Sequence, residues 1–258
     1  MLLESEPLPG LVRLTLNRPQ ARNALDAGLI DALREALARH AGRAATRVLL
    51  LGAAGSAFCA GADLAAMRRE GRAPRVENLA DTAALAALLA ALRASPKPCI
   101  ACVQGPAFGG GLGLVAACDL AIAADTAQFR LPEVRLGLVP ALISPYVIEA
   151  IGVRQMRRYA LSGETIDPAR ARELGLVHEV VAPASLESAA LDLARAIAAG
   201  GPTALATAKT LIAAVAHRPT DRALIEHTMA VLADIRAGEE AQAGLAAALE
   251  RRPPPWNP

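Results

Sequence analysis

The chain has 258 residues, of which 53% are hydrophobic and only 2% aromatic, and its formal net charge is +2. So few aromatic side chains argue against a protein that stacks single-stranded nucleic acid, and the near-neutral charge gives no reason to expect a polyanionic partner. We therefore expect one large domain, or one domain with a helical appendage. The acidic, proline-interrupted start is unlike a secretory signal, and no apolar run suits a membrane span, so a cytoplasmic location without membrane contact is expected.

The apolar pattern predicts strands and helices that alternate early in the chain and helices that dominate after Pro140. Strands are expected at 11–17, 47–52, 98–105, 119–125, 127–133 and 176–181. Helices are expected at 26–40 with Asp26 as the N-cap, at 62–69, at 77–95, and from 109–111 to about Cys118. Residues 71–76 form a polar segment that we expect to be mobile. This order predicts an α/β core followed by a helical C-terminal region.

Three short motifs carry weaker signals. Cys99 and Cys102 form a C-x-x-C inside an apolar run, which predicts buried, reduced thiols more than a metal or redox site. The sequence "GLGLVA" at 111–116 fits a relaxed dinucleotide pattern with Glu133 downstream, but that pattern normally begins a βαβ unit. His178 is followed by a glutamate without a second histidine four residues on, so it predicts a structural residue and not a zinc ligand.

Two loops of small residues, 55–63 and 105–111, each follow a predicted buried strand and lead into a helix. Loops of this kind expose backbone N–H groups, and the helix dipole favours negative charge beside them. If both loops face one point, their N–H groups form an oxyanion hole. The alternative is that small residues serve only tight helix packing, and the sequence leaves both interpretations open.

Several segments in order carry a family resemblance that covers roughly the whole chain. They are "LNRPQARNALD" (16–26), "AFCAGADLAAM" (57–67), "VQGPAFGGGLGLVAACDLAIA" (103–123), "AQFRLPEVRLGLVP" (127–140) and "ARELGLVHEVV" (171–181). Together they resemble the crotonase superfamily, also called the enoyl-CoA hydratase/isomerase family. The resemblance implies a crotonase-like spiral of ββα units over residues 1–196. It also implies a C-terminal helical region, 197–258, that closes the CoA site and builds homotrimers or homohexamers.

The resemblance also assigns roles to individual residues. The substrate is expected to be an acyl-CoA thioester, with no metal and no cofactor beyond the coenzyme A of the substrate. The N–H groups of Ala62 and Gly110 would form the oxyanion hole. Gly109 and its two successors would let the helix N-terminus approach the thioester oxygen closely.

Four further positions match family residues near the coenzyme A. Ala60 falls where backbone groups contact the adenine. Ala21 and Arg22 fall where the pantetheine and phosphates are bound. Asp63 is expected to cap its helix in preference to a catalytic role.

The acid/base residues depart from the usual family pattern. Family hydratases typically carry two glutamates, of which the later one is present as Glu133, whereas Gly113 stands at the position of the first. The resemblance therefore implies a hydratase that works through Glu133, with a single-glutamate isomerase or a non-catalytic acyl-CoA binder as alternatives.

A narrower resemblance comes from "PALISPYV" (140–147), where family hydratases usually read "PGAGGTQ". This segment, with glycine at 113, resembles bacterial 3-methylglutaconyl-CoA and isohexenylglutaconyl-CoA hydratases of leucine and acyclic-terpene breakdown. Such substrates carry a second carboxylate, for which Arg130 and Arg135 are candidate partners, although a solvated pair is the simpler expectation.

The C-terminal tail carries Arg251, Arg252 and Trp256. Family members often hold a basic residue here against the phosphates of coenzyme A. A solvated, partly disordered tail is the alternative.

Overall fold

The computed structural model describes residues 1–256, apart from the side chain at position 81. In this range the strands are β1 (Leu2–Leu8), β2 (Leu11–Leu16), β3 (Val48–Ala53), β4 (Cys99–Val103), β5 (Ala107–Phe108), β6 (Leu120–Ala124), β7 (Phe129–Arg130), β8 (Thr165–Ile166) and β9 (Glu179–Val181). The α-helices are α1 (Ala27–Gly42), α2 (Leu64–Glu70), α3 (Arg75–Ala94), α4 (Gly110–Ala117), α5 (Ser144–Ser162), α6 (Pro168–Glu173), α7 (Leu186–Ala198), α8 (Pro202–Val215), α9 (Arg222–Ala237) and α10 (Glu239–Leu249). Early alternation and later helices confirm the predicted order.

A six-stranded sheet in the order β1-β2-β3-β4-β6-β9 is the framework of the fold. β1 and β2 are antiparallel, whereas the other neighbouring strands are parallel. The short strands β5, β7 and β8 form a second sheet. Because β3 and β4 are parallel neighbours, their carboxyl ends reach the same edge of the sheet. The two small-residue loops begin at that edge.

Both faces of the central strands are covered. On β3, Leu49 and Leu51 belong to the larger apolar core, which also contains residues of α1, α3, α4 and α5. Leu50 faces the opposite side, where it packs in a second cluster with Leu186 and Ala190 of α7. Burial on both faces explains why the central strands read as continuous apolar runs without alternation.

The strand geometry also accounts for the C-x-x-C. Cys99 lies in the larger core and Cys102 in the second cluster, so the two thiols point to opposite faces of β4. Burial raises the pKa of the Cys102 thiol to about 11. All four cysteines are free and buried, which confirms the prediction of buried, reduced thiols.

The structure differs from the predicted elements at β1 and at the start of α3. β1 was not predicted, because it is an edge strand whose residues are mostly exposed on both faces and so lack an alternating pattern. α3 begins at Arg75, so the connection after α2 is 71–74 and not the predicted 71–76.

The C-terminal helices are tied to the core by polar contacts. Lys209 Nζ lies 2.6 Å from Asp119 Oδ2, which also accepts from the Cys99 N–H (2.8 Å). The Arg47 guanidinium donates to the Ala198 carbonyl (2.9 Å) just beyond the predicted domain boundary at 196/197. That boundary falls in the last turn of α7 and stays a prediction.

The tail is held against the same junction. The Trp256 indole N–H donates to the Ala199 carbonyl (3.1 Å), and the Trp256 carbonyl accepts from Arg47 (3.1 Å). Arg252 pairs with Glu250 (2.5 Å). Residues 257–258 of the predicted C-terminal region lie outside the described residues. Among the described helices, none combines the length and apolar character needed to cross a bilayer.

Candidate active site

The two small-residue loops are joined by main-chain hydrogen bonds. The Cys59 N–H donates to the Pro106 carbonyl (3.1 Å), and the Phe108 N–H donates to the Cys59 carbonyl (2.9 Å). These bonds form a parallel bridge between Cys59 and Ala107. The sequence left open whether the loops meet, and the structure brings them together.

Two N–H groups from these loops lie side by side. The Leu25 N–H donates to the Gly61 carbonyl (2.8 Å) and the Leu25 carbonyl accepts from the Asp63 N–H (2.9 Å), so the Ala62 N–H faces away from Leu25. Gly110 is the first residue of α4, where an N–H has no partner inside the helix. A Cβ built on Gly110 would lie 3.8 Å from Ala62 N. Within residues 1–256, no acceptor is found for either N–H.

The first and last residues of the glycine triplet lie where a side chain would collide with neighbouring atoms. Gly109 has a φ of +49°, and a Cβ there would lie 2.9 Å from Glu133 Oε1. A Cβ on Gly111 would lie 2.3 Å from the Cys59 carbonyl oxygen. The triplet therefore makes room for the carboxylate and for the other loop, in addition to the ligand approach expected from the sequence.

Glu133 begins a short 3-10 helix, Glu133–Leu136, directly after Pro132. Its carboxylate reaches Gly109, and Oε2 is buried without a hydrogen-bond partner in the described part of the chain. Burial raises the pKa of the Glu133 carboxyl above its ordinary value of 4.5 because it disfavours the charged form. A buried carboxylate with a raised pKa is suited to accept and return a proton.

Gly113 lies one turn into α4, and its missing side chain is replaced by Ile143. A Cβ on Gly113 would lie 2.1 Å from Ile143 Cγ2 and 3.8 Å from Leu89 Cδ2. The position at which family hydratases carry a glutamate is therefore filled by hydrocarbon.

Asp63 caps α2, as predicted. Its Oδ1 accepts from the N–H groups of Ala65 (3.0 Å) and Ala66 (3.1 Å). These hydrogen bonds, of which the one from Ala66 has the larger effect, hold the pKa of the Asp63 carboxyl below its ordinary range. The side chain is thus engaged in positioning the loop that carries Ala62.

The remaining predicted coenzyme A positions also meet at this edge. Ala21 ends a short 3-10 helix, and Arg22 follows in a left-handed conformation with a φ of 50°. The Arg22 carbonyl accepts from the Ala60 N–H (2.9 Å), which leaves only the carbonyl of Ala60 for a ligand.

Sequence reasoning missed two amide side chains that hold the first loop. Asn23 is fully buried and donates to the carbonyls of Ala54 (2.8 Å) and Ala57 (2.9 Å), while its own oxygen accepts from the Arg18 N–H (2.8 Å). Gln104 donates to the same Ala57 carbonyl (3.1 Å).

The two arginines beside Glu133 turn away from it. Arg130 Nε donates to the Gly163 carbonyl (2.6 Å), and Arg135 donates to the Ser162 carbonyl (3.2 Å). Both guanidinium groups therefore sit at the C-terminus of α5, where the helix dipole favours positive charge. His178 is likewise structural, because its Nδ1 accepts from the Ala121 N–H (3.1 Å).

A cavity of about 220 Å³ opens beside the two N–H groups and Glu133. Its lining comes from the two loops, α2, α3 and the segment from Pro132 to Ile143. The arrangement can hold a carbonyl oxygen on two N–H donors while a carboxylate handles a proton nearby.

Comparison with known proteins gives a consistent picture. The family model described as enoyl-CoA hydratase/isomerase matches residues 8–258. The chain is 31% identical over 262 aligned residues to the mevalonyl-coenzyme A hydratase sidH of Aspergillus fumigatus, covering 99% of this chain and 94% of the relative. It is 33% identical over 242 residues to the enoyl-CoA hydratase ACTT6 of Alternaria alternata, covering 92% and 78%. The crystal structure of an enoyl-CoA hydratase from Shewanella pealeana matches with a TM-score of 0.95 at 39% identity, covering 99% and 95%.

We predict that Gly113→Ala lowers the free energy of unfolding by about 1–3 kcal/mol, since the new methyl would overlap Ile143. Helix propensity alone predicts the opposite, a gain of about 1 kcal/mol. The same change made in an Ile143→Ala background should cost less, because the Cγ2 methyl at 2.1 Å is gone and only the approach to the Cβ of residue 143 (2.8 Å) remains. Urea denaturation of the two single variants and the double variant measures this coupling.

Gly42→Ala is the matched control, because a Cβ on that helical glycine meets nothing within 4 Å. It should leave stability unchanged or raise it. A Gly113→Ala variant as stable as the Gly42→Ala variant would contradict the prediction.

Proposed function

The chain belongs to the enoyl-CoA hydratase/isomerase family, and we propose that it is an enoyl-CoA hydratase, which adds water across the 2,3 double bond of an acyl-CoA thioester. Its α/β crotonase fold is that of solved family structures. The observation that carries the proposal is the buried oxygen of Glu133, which has no hydrogen-bond partner within residues 1–256, beside a cavity whose lining includes Ala62 and Gly110.

In this proposal the thioester oxygen accepts from the N–H groups of Ala62 and Gly110. Attack at C3 moves charge onto that oxygen as the thioester becomes an enolate. Each such donor typically contributes about 3–4 kcal/mol to lowering the barrier. The N-terminus of α4 adds its dipole to the same oxygen.

Glu133 supplies the proton transfer. Its carboxylate takes a proton from water as the water oxygen bonds to C3 and the electrons of the double bond move into the enolate. The resulting carboxylic acid then gives its proton to C2, and the enolate returns to a thioester. One carboxylate performs both steps, so hydroxyl and hydrogen are added to the same face.

The coenzyme A moiety lies, in this proposal, along the segment of Ala21, Arg22 and Ala60. The Ala60 carbonyl would accept from the adenine amino group, since its N–H is already bonded to Arg22. The 3-methylglutaconyl-type acyl group, the link to leucine breakdown and a cytoplasmic location stay predictions.

An isomerase is the second candidate, and the pair formed by Gly113 and Ile143 favours it. A single carboxylate suffices to move a proton between C4 and C2 without adding water. Both reactions place negative charge on the thioester oxygen. Hydration does so by adding water at C3, whereas isomerisation does so by removing a proton from C4 (or from C2 in the reverse direction) to form a dienolate.

Turnover in oxygen-18 water separates them. We expect crotonyl-CoA or 3-methylglutaconyl-CoA to give a 3-hydroxyacyl product that carries the label, read by mass spectrometry. Glu133→Gln should lower the rate by about 10²–10⁴-fold, whereas Glu226→Gln, on the exposed face of α9, should not change it. Interconversion of 2- and 3-enoyl esters without label would instead establish the isomerase.

The pH dependence of kcat/KM gives an independent check. Since Glu133 must be deprotonated to act as the base and burial raises its pKa, the rate should fall as pH drops through a value above 4.5. A rate that stays level down to the ordinary range of an exposed glutamate would contradict this role.

We also propose a homotrimer or homohexamer built through the C-terminal helices. Support comes from exposed apolar side chains on α8, α9 and α10, which include Ile212, Met229, Leu232 and Leu249. Light scattering should give a mass of three or six chains, each of 26.6 kDa. A monomer at micromolar concentration would rule this out.

A further inference from the structure

The cavity beside Ala62 and Gly110 has a hydrocarbon wall. The apolar side chains in it include Leu64, Met67, Leu85, Leu136, Leu138 and Ile143. Thr82 also lines it, and its hydroxyl donates to the Leu79 carbonyl of its own helix (2.9 Å). Among the described lining residues, Glu133 alone carries a charge.

Ile143 closes this wall on the side of α4. It lies just before Ser144, the first residue of α5, and is only 3% exposed. Its Cγ2 methyl occupies the space into which any side chain at Gly113 would project. Ile143 therefore fills with hydrocarbon the space in which a glutamate at position 113 would place a second carboxylate of the protein.

A charged acyl group would meet an unfavourable environment here. Its carboxylate would lose water against Ile143 and Leu138 without gaining a donor from them. It would also approach Glu133, whose Oε2 is buried and has no hydrogen-bond partner in the described part of the chain, and like charges in a desolvated site repel strongly.

We propose that Ile143 is a specificity-determining residue, and that the wall it forms over Gly113 makes the site select an uncharged hydrocarbon acyl group over one with a second carboxylate. The inference rests on the proposed function, because it takes the cavity as the acyl side of a thioester site. It departs from the 3-methylglutaconyl-type substrate that the sequence predicts. The candidate partners for that carboxylate, Arg130 and Arg135, are held at the end of α5.

Two saturated thioesters test the selection without depending on turnover. In 3,5-dimethylhexanoyl-CoA an isopropyl group replaces the carboxylate of 3-methylglutaryl-CoA at nearly the same size. By isothermal titration calorimetry, we expect the full-length protein to bind the hydrocarbon ester at least about tenfold more tightly.

Variants on α5 and its start assign the effect to Ile143. Ile143→Ala should weaken binding of the hydrocarbon ester by about tenfold and change binding of 3-methylglutaryl-CoA little. The Kd of 3-methylglutaryl-CoA divided by the Kd of the hydrocarbon ester should therefore fall. Ile151→Ala is the matched control, because Ile151 on α5 is also buried (6% exposed) but lies outside the cavity lining. It should leave the ratio unchanged. If Ile143→Ala does not fold, Ile143→Val should show a smaller change in the same direction.

The outcomes separate the inference from the proposed function. Equal affinities, or tighter binding of 3-methylglutaryl-CoA, would overturn the selection and leave the thioester site standing. An unchanged ratio in Ile143→Ala would remove the role of Ile143. Failure to bind either thioester would overturn both the inference and the proposed function.

Discussion

The main-chain bridge between Cys59 and Ala107 is the constraint on which the candidate site depends. Parallel pairing of β3 and β4 delivers two loops to one edge, and the bridge then fixes their separation. The Ala62 and Gly110 N–H groups become neighbours only because the loops cannot slide past each other. The small residues of both loops follow from this close approach, since a Cβ on Gly111 would meet the Cys59 carbonyl.

The buried carboxylate of Glu133 lowers the stability of the folded protein. A carboxylate with one oxygen buried and unpartnered is destabilising in its charged form, and the raised pKa expresses that cost. The surrounding structure tolerates it because Pro132 and the short 3-10 helix fix the backbone while Gly109 leaves space for the side chain. A glutamate free to turn into solvent would be more stable there, and its pKa would not be raised by burial.

Much of the fold could be predicted because its signals are local. Strand runs, the Asp26 and Asp63 caps and the glycine triplet each depend on residues within a few positions. The meeting of Gly113 with Ile143 could not be predicted, because thirty residues separate them and no periodicity pairs one helix with the start of another. The directions of Arg130 and Arg135 were hidden for the same reason, since their acceptors lie at the end of a later helix. β1 was not predicted because an exposed edge strand has no alternation of apolar and polar residues.

The main-chain N–H groups and the Glu133 side chain of the candidate site depend on the sequence in different ways. In the proposed function, polarisation comes from main-chain groups, so it is encoded by the shape of the loops. The proposed proton transfer is encoded by one codon, at Glu133. A lineage that lost that carboxylate would keep a folded thioester-binding cavity with its oxygen cradle intact. Under the proposed function, this architecture therefore places an enzyme and a ligand-binding pseudoenzyme a single substitution apart.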